Sequence, residues 1–183
     1  QLLTCIPIIV YNHLMGYIHV YTGNGKGKTT AAIGLAMRAA GAGKKVFIAQ
    51  FVKGMKYSEL NSLSRIQEIT IRQFGLDCFI FKKATQKDID KAREGFDIVS
   101  ELIKKDEYQV IILDEANIAL YYNLFSPEEL IAILETRHPD IEVVITGRKA
   151  PERLIEIADL VTEMKEIKHY YTKGVEARKG IEC

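Results

Sequence analysis

Short apolar runs of strand character alternate along this chain with longer stretches whose apolar residues recur at helical spacing. Residues 17–21, 46–51 and 69–74 are rich in β-branched and aromatic side chains and read as strands. Residues 109–113, 141–146 and 160–164 read the same way, and 109–113 is apolar throughout after its first residue. Residues 29–40 predict a helix of mainly small apolar residues, stopped by Gly41 and Gly43. In residues 88–104, Ile89, Ala92, Phe96, Val99 and Ile103 form one apolar seam. Residues 127–135 predict a helix with Pro127 in its first turn and Ser126 as N-cap, and residues 151–158 start another behind Pro151.

Strands that are apolar on both faces and alternate with helices indicate an α/β fold. Its mainly parallel sheet is covered by helices on both sides, in three layers. Right-handed crossovers gather the loops that follow the strands along one sheet edge, where a site is expected. No repeat, low-complexity tract or linker interrupts the chain, so residues 15–183 are expected to form a single domain. Residues 1–14 read as an N-terminal extension. Their apolar run has no basic residue before it and no small-residue cleavage site, and Met15 stands directly before the first strand.

Composition narrows the classes of function. The 183 residues carry 25 Lys and Arg against 24 Asp and Glu, a net charge of +1, which argues against a broad basic surface for nucleic acid. No apolar run reaches the ~20 residues of a membrane span. Cys5, Cys78 and Cys183 lack metal-binding spacing, and the expectation is reduced thiols in a cytoplasmic protein.

The strongest local signal is Thr22-Gly23-Asn24-Gly25-Lys26-Gly27-Lys28-Thr29-Thr30, between a predicted strand and a predicted helix. Its glycines allow the backbone to curl so that successive amides face phosphate oxygens, and the helix start adds its positive dipole end. Lys28 supplies a point charge, Thr29 a hydroxyl for a metal ion and Thr30 a second hydroxyl for phosphate. Relative to the usual GxxxxGK[ST] pattern, the first glycine is displaced by one position, to Gly23. A second anchor is Val110-Ile111-Ile112-Leu113-Asp114-Glu115, an apolar strand that delivers two carboxylates to the sheet edge, where such folds hold magnesium. Together these motifs imply a nucleoside triphosphate with a divalent metal. They leave open hydrolysis, phosphoryl transfer to a small molecule, and attack elsewhere on the nucleotide.

The stretch from Met15 to Glu182 resembles the phosphate-loop family of corrinoid adenosyltransferases. The blocks that carry the resemblance are YTGNGKGKTTAA (21–32), GLAMRAAG (34–41), QFVKG (50–54) and LDE (113–115). TGRKAP (146–151), ADLVTEM (158–164), KHYY (168–171) and GVEARKGIE (174–182) follow in order. The displaced first glycine is also the pattern of this family.

The resemblance implies a P-loop NTPase fold of RecA type. It also implies attack by Co(I) of a reduced corrinoid on C5′ of ATP, with release of tripolyphosphate. Lys28, Glu115 and Arg148 are then the expected catalytic residues. Gly23, Asn24, Gly25, Lys26, Gly27, Lys28, Thr29, Thr30, Arg38, Arg148 and His169 are expected to bind ATP. Thr29, Asp114 and Glu115 are the expected metal seat, with Glu115 first and Asp114 orienting it or binding through water. The metal implied is Mg²⁺, with Mn²⁺ as an alternative. Phe79 and Phe81 stand where relatives carry a Phe-x-Trp pair that pushes away the corrinoid's lower axial ligand. The resemblance further implies a homodimer and a flavoprotein reductant. The alternative is a P-loop ATPase or a small-molecule kinase that transfers the γ-phosphate.

Overall fold

The computed structural model describes residues 15–76 and 83–182. The expected Phe79 and Phe81, like residues 1–14, lie outside the described residues. Six strands form one parallel sheet: β1 (Ile18–Thr22), β2 (Val46–Phe51), β3 (Ile69–Phe74), β4 (Val110–Asp114), β5 (Glu142–Thr146) and β6 (Leu160–Glu163). Their spatial order is β3-β2-β4-β5-β1-β6, and every pairing is parallel.

Alternation along the strands sorts the helices onto two faces. Phe47, Ala49 and Phe51 of β2 point to one side, with Ile111 and Leu113 of β4 and Val143 and Ile145 of β5. They meet α3 (Gln86–Leu102), α4 (Ala116–Tyr121), α5 (Pro127–Glu135) and α6 (Glu152–Ile157). Val46 and Ile48, with Ile69, Val110, Ile112 and Val144, point to the other side. There they pack on Ala32, Ala36, Ala39 and Ala40 of α1 (Lys28–Gly41) and on Leu63 of α2 (Ser58–Leu63). The small residues of α1 let that helix lie close on the sheet.

The predicted elements are present with ends shifted by a residue or two, as hydrogen bonds and caps fix them. Ser126 caps α5 as expected and accepts from the Glu129 amide, and Thr85 caps α3 in the same way. Three short pieces carried no periodic signal: α2, α4 and the 3₁₀ turn η1 (Tyr170–Lys173). Each spans six residues or fewer, less than two helical turns, too short for an apolar stripe to repeat. Among the described residues, no helix is long and apolar enough to cross a membrane.

Candidate nucleotide site

The sheet places one row of polar side chains across four adjacent strands at its carboxyl edge. Gln73 of β3 pairs in register with Gln50 of β2, and Gln50 with Asp114 of β4. These positions share the α1 face with Thr146 of β5. Gln73 Nε2 donates to Gln50 Oε1 at 3.1 Å, and Gln50 Nε2 donates to Asp114 Oδ2 at 3.2 Å. Thr146 Oγ1 donates to Asp114 Oδ1 at 2.7 Å. Gln50, Asp114 and Thr146 are buried, so each of these bonds satisfies a group that water cannot reach.

The phosphate loop closes onto this row from above. Gly27 has φ 117°, and Gly23 has φ 94°. Both angles favour glycine, and they let the chain turn from β1 into α1 within a few residues. Lys28 is buried in the first turn of α1, and its ammonium donates to the carbonyls of Gly23 and Gly25 at 2.8 and 2.7 Å. Burial holds its pKa below the usual lysine value. Thr29 Oγ1 donates to Asp114 Oδ1 at 2.8 Å across 85 positions of sequence, joining the two motifs.

Asp114 is fully committed. Oδ1 accepts from Thr29 and Thr146, and Oδ2 accepts from Gln50 and from Lys53 at 2.8 Å. Glu115 differs. It sits in the left-handed region at φ 58°, and its amide donates to Thr146 Oγ1. Among the described residues its carboxylate accepts no hydrogen bond. Burial pushes its pKa up, and the neighbouring charge of Asp114 adds to that. A half-buried acid without a donor is a hard oxygen ligand that a cation would satisfy. Such an acid and the Thr29 hydroxyl fit a hard cation such as Mg²⁺, which Glu115 and Thr29 would hold. Among the described residues no cluster of three or more acidic, histidine or cysteine side chains would cage a metal by itself.

Three non-glycine residues with positive φ follow three neighbouring strands: Val52 (58°) after β2, Glu115 (58°) after β4 and Lys149 (59°) after β5. Such angles cost an L-residue free energy and persist only where surrounding contacts enforce them. Arg148 lies in the last of these loops, exposed, and its charge is felt by both Lys28 and Glu115. Asn117, fully buried in α4, braces that loop by donating to the Gly147 carbonyl at 3.0 Å.

The matches to known proteins fit this geometry. The family model of the ATP:corrinoid adenosyltransferases BtuR/CobO/CobP matches residues 14–183. The chain belongs to the ATP:corrinoid adenosyltransferase family. A corrinoid adenosyltransferase of Pseudomonas aeruginosa is 35% identical, over 91% of this chain and 83% of the relative. A Sinorhizobium enzyme of the same name is 38% identical, over 91% and 80%, and that of Escherichia coli K12 34% identical, over 91% and 85%. In fold, the chain is similar to the crystal structure of the RadB recombinase, with a TM-score of 0.53 at 14% identity, covering 86% of this chain and 78% of the recombinase. That likeness concerns architecture alone and agrees with the three-layer, RecA-like P-loop fold.

In this adenosyltransferase the chain after β6 folds back over the phosphate loop. Met164 O accepts the Gly25 amide at 2.6 Å, and Met164 N donates to Thr22 O at 2.8 Å. A Cβ on Gly25 would lie 2.6 Å from Met164 O, so only glycine permits this approach. Lys26 does not turn inward. Its ammonium donates to Tyr170 Oη at 3.2 Å, Ile181 O at 2.9 Å and Glu182 Oε1 at 2.8 Å. Arg178 and Tyr170 also bond Glu182, and the Arg178 guanidinium stacks 4.9 Å from the Tyr170 ring. A cavity of about 340 Å³ lies between loop and tail, lined by Gly25, Lys26 and residues 165–170, His169 among them.

The sequence-predicted residues thus separate into groups. Lys28, Thr29, Asp114 and Glu115 come together under the loop backbone of Gly23 to Gly27, with Asn24 and Thr30 exposed beside them and the charge of Arg148 near. The Lys26 side chain turns instead to the tail, from which His169 lines the adjoining cavity. Arg38 does not: it is exposed on α1, ten residues or ~15 Å of helix beyond Lys28. Lys53, Gln50, Gln73 and Thr146 went unassigned by sequence. Gln50 did leave a trace, as a polar residue inside an otherwise apolar strand.

Proposed function

We propose that this protein transfers the 5′-deoxyadenosyl group of ATP to the cobalt of a reduced corrinoid. Co(I) of the substrate supplies an electron pair to C5′ of the ribose. The C5′–O bond breaks, its electron pair leaves with the triphosphate, and a cobalt–carbon bond remains. Charge therefore grows on the polyphosphate as the bond breaks, and donors that meet it there lower the barrier.

The chain's own groups match that demand. The amides of Gly23, Asn24, Lys26 and Gly27 and the start of α1 are the proposed receivers of phosphate oxygens, the Gly25 amide being held by Met164 O. Lys28 and Arg148 add charge, and the Thr30 hydroxyl adds a donor. Thr29 and Glu115 are the proposed ligands of Mg²⁺, or of Mn²⁺ in its place, with Asp114 orienting Thr29. A bound metal neutralises part of the polyphosphate charge. His169 is the proposed nucleoside contact, from the wall of the cavity beside the loop. A flavoprotein is the proposed reductant, a homodimer the proposed assembly and the cytoplasm the proposed location.

One observation carries this reading: the loop lies beneath a folded tail. Gly25 N–H is taken by Met164 O and Lys26 by Glu182, so the positive charge proposed to meet phosphate is that of Lys28 and Arg148. A loop covered in this way suits retention of a leaving group rather than presentation of a γ-phosphate to an acceptor. The test is incubation with ATP, Mg²⁺ and chemically reduced corrinoid. The expected result is the absorbance of an alkylcobalt product, with tripolyphosphate formed in equal amount. ADP or phosphate formed while Co(I) stays unalkylated would overturn the reading in favour of an ATPase or kinase.

A further inference from the structure

Lys53 meets the polar row at Asp114, although the QFVKG block that contains it was given no role by sequence. It is the residue after Val52, whose positive φ turns the chain back over the sheet edge. The loops after β2 and β3 are pressed together here: a Cβ on Gly54 would lie 2.5 Å from the Leu76 carbonyl carbon, and one on Gly75 would overlap the Lys53 amide. The turn is thus fixed by backbone against backbone. It delivers the Lys53 ammonium 2.8 Å from Asp114 Oδ2 and 3.5 Å from Thr29 Oγ1, with the Tyr57 ring 5.3 Å away. The Lys53 side chain is 13% exposed and that of Asp114 2%, so solvent screens the pair little.

Asp114 can turn about its carboxyl axis unless both oxygens are held. Thr146 and Thr29 define one oxygen, while Gln50 and Lys53 define the other. Of these four donors only Lys53 is charged, and a charge-assisted bond is about twice as strong as a neutral one. With the carboxylate fixed, the Thr29 hydroxyl proton points at Oδ1, and the Lys53 ammonium, 3.5 Å away, is the donor that a divalent ion would displace from the Thr29 oxygen. Neutralised by Lys53, Asp114 does not compete with Glu115 for a cation. Lys28 is engaged elsewhere, on the carbonyls of Gly23 and Gly25.

We propose that Lys53 is a positioning residue of the metal seat, holding Asp114 so that Thr29 presents its oxygen, with Glu115, to the divalent ion of the metal–ATP complex. This rests on the seat assigned above, but not on the fate of the nucleotide.

The experiment is Mn²⁺ titration of the full chain with ATP, reading free Mn²⁺ by electron paramagnetic resonance, beside ATP binding by calorimetry in EDTA. For Lys53→Met the Mn²⁺ Kd in the ternary complex is expected to rise at least 10-fold, the lower end of the range for residues that support a metal ligand. ATP affinity in EDTA is expected to stay within about 2-fold, because Lys53 acts through Asp114 rather than on phosphate. Lys53→Arg should restore Mn²⁺ affinity to within about 3-fold. In an Asp114→Asn background, Lys53→Met should add less than about 2-fold, since the two act as one unit. Unchanged Mn²⁺ affinity, an equal loss of metal-free ATP binding, a failed Arg rescue or additive effects would each overturn the proposal. Because no corrinoid is present, a protein that binds Mn²⁺–ATP as expected yet fails to alkylate Co(I) would sink the proposed reaction and leave this inference standing.

Discussion

The ammonium of Lys26 lies 2.8 Å from Oε1 of Glu182, binding the phosphate loop to a residue 156 positions further along the chain. The same carboxylate is bonded by Arg178 and Tyr170, so one acid organises the end of the tail. The two cations, Lys26 and Arg178, are exposed, while Glu182 is 17% exposed, and ion pairs with one partner in solvent yield to salt and to competition from water. Glu182→Ala should leave the thermal midpoint of the sheet nearly unchanged while freeing the tail. Trypsin should then cut faster at Arg178 and Lys179, and amide exchange should quicken across 170–182. Cutting at the parental rate would show that the tail is held by something other than this cluster.

Lys28 and Glu115 should separate binding from chemistry. Lys28→Met removes one charge proposed to meet the departing triphosphate, and kcat is expected to fall by about 10²–10³, as for loss of one preorganised donor. Glu115→Asn tests stability as well. Asn tolerates the left-handed backbone better than Glu and buries no charge, so the variant should be more stable by about 1 kcal/mol while losing adenosylation. Chemical denaturation beside a cobalt–carbon absorbance assay checks both halves. A variant that is both less stable and fully active contradicts them.

Acid should loosen the outer helices through Glu129. Its carboxyl accepts from Arg93 at 2.5 and 3.1 Å and from the Ser126 amide, linking α5 to α3, and its pKa drops from the ordinary 4.5 to about 2. A carboxyl depressed in the folded state stabilises the fold fully above the unfolded pKa and loses that contribution as pH falls through the folded one. The contribution is therefore present above about pH 4.5 and fades toward pH 2. Because the pair is largely exposed, Glu129→Gln should cost only about 0.5 kcal/mol at pH 7 and nothing near pH 2. Urea unfolding at the two pH values measures the difference, and an equal loss at both would refute the ion-pair account.

Gly95 offers a case where helix propensity and packing disagree. Alanine favours a helix interior over glycine by about 1 kcal/mol. Here an added Cβ would overlap the ring of Phe74, which is 1% exposed in the core between α3 and β3. Overpacking of this kind costs about 1–3 kcal/mol, so packing should win and Gly95→Ala should lower Tm. A raised Tm would mean that the ring moves aside freely.

The strands, the phosphate loop and the Asp114–Glu115 pair were legible because each is a local pattern: short runs of β-branched and aromatic residues, glycine spacing, an apolar run ending in acids. What escaped depends on tertiary geometry. Lys53 reaches Asp114, beside the proposed metal seat, after Val52 takes a backbone angle that no β-branched residue advertises. Lys26 looked like a phosphate ligand from its neighbours in sequence, and its partners Tyr170 and Glu182 lie far beyond any window that periodicity samples. Arg38 stood out as a charge on an apolar helix. Its distance along α1 follows from the helical rise, which the resemblance outweighed.

The place of β6 in the sheet also bears on synthesis. β1 pairs with β6 through His19↔Leu160 to Thr22↔Glu163, and the Gly25 amide waits for Met164. A nascent chain emerging amino end first carries the nucleotide-loop sequence before its outer neighbour β6, which follows β1 through β5 in the chain. Competence to grip a triphosphate should thus arrive late and abruptly on the ribosome, with the final strand rather than with the motif.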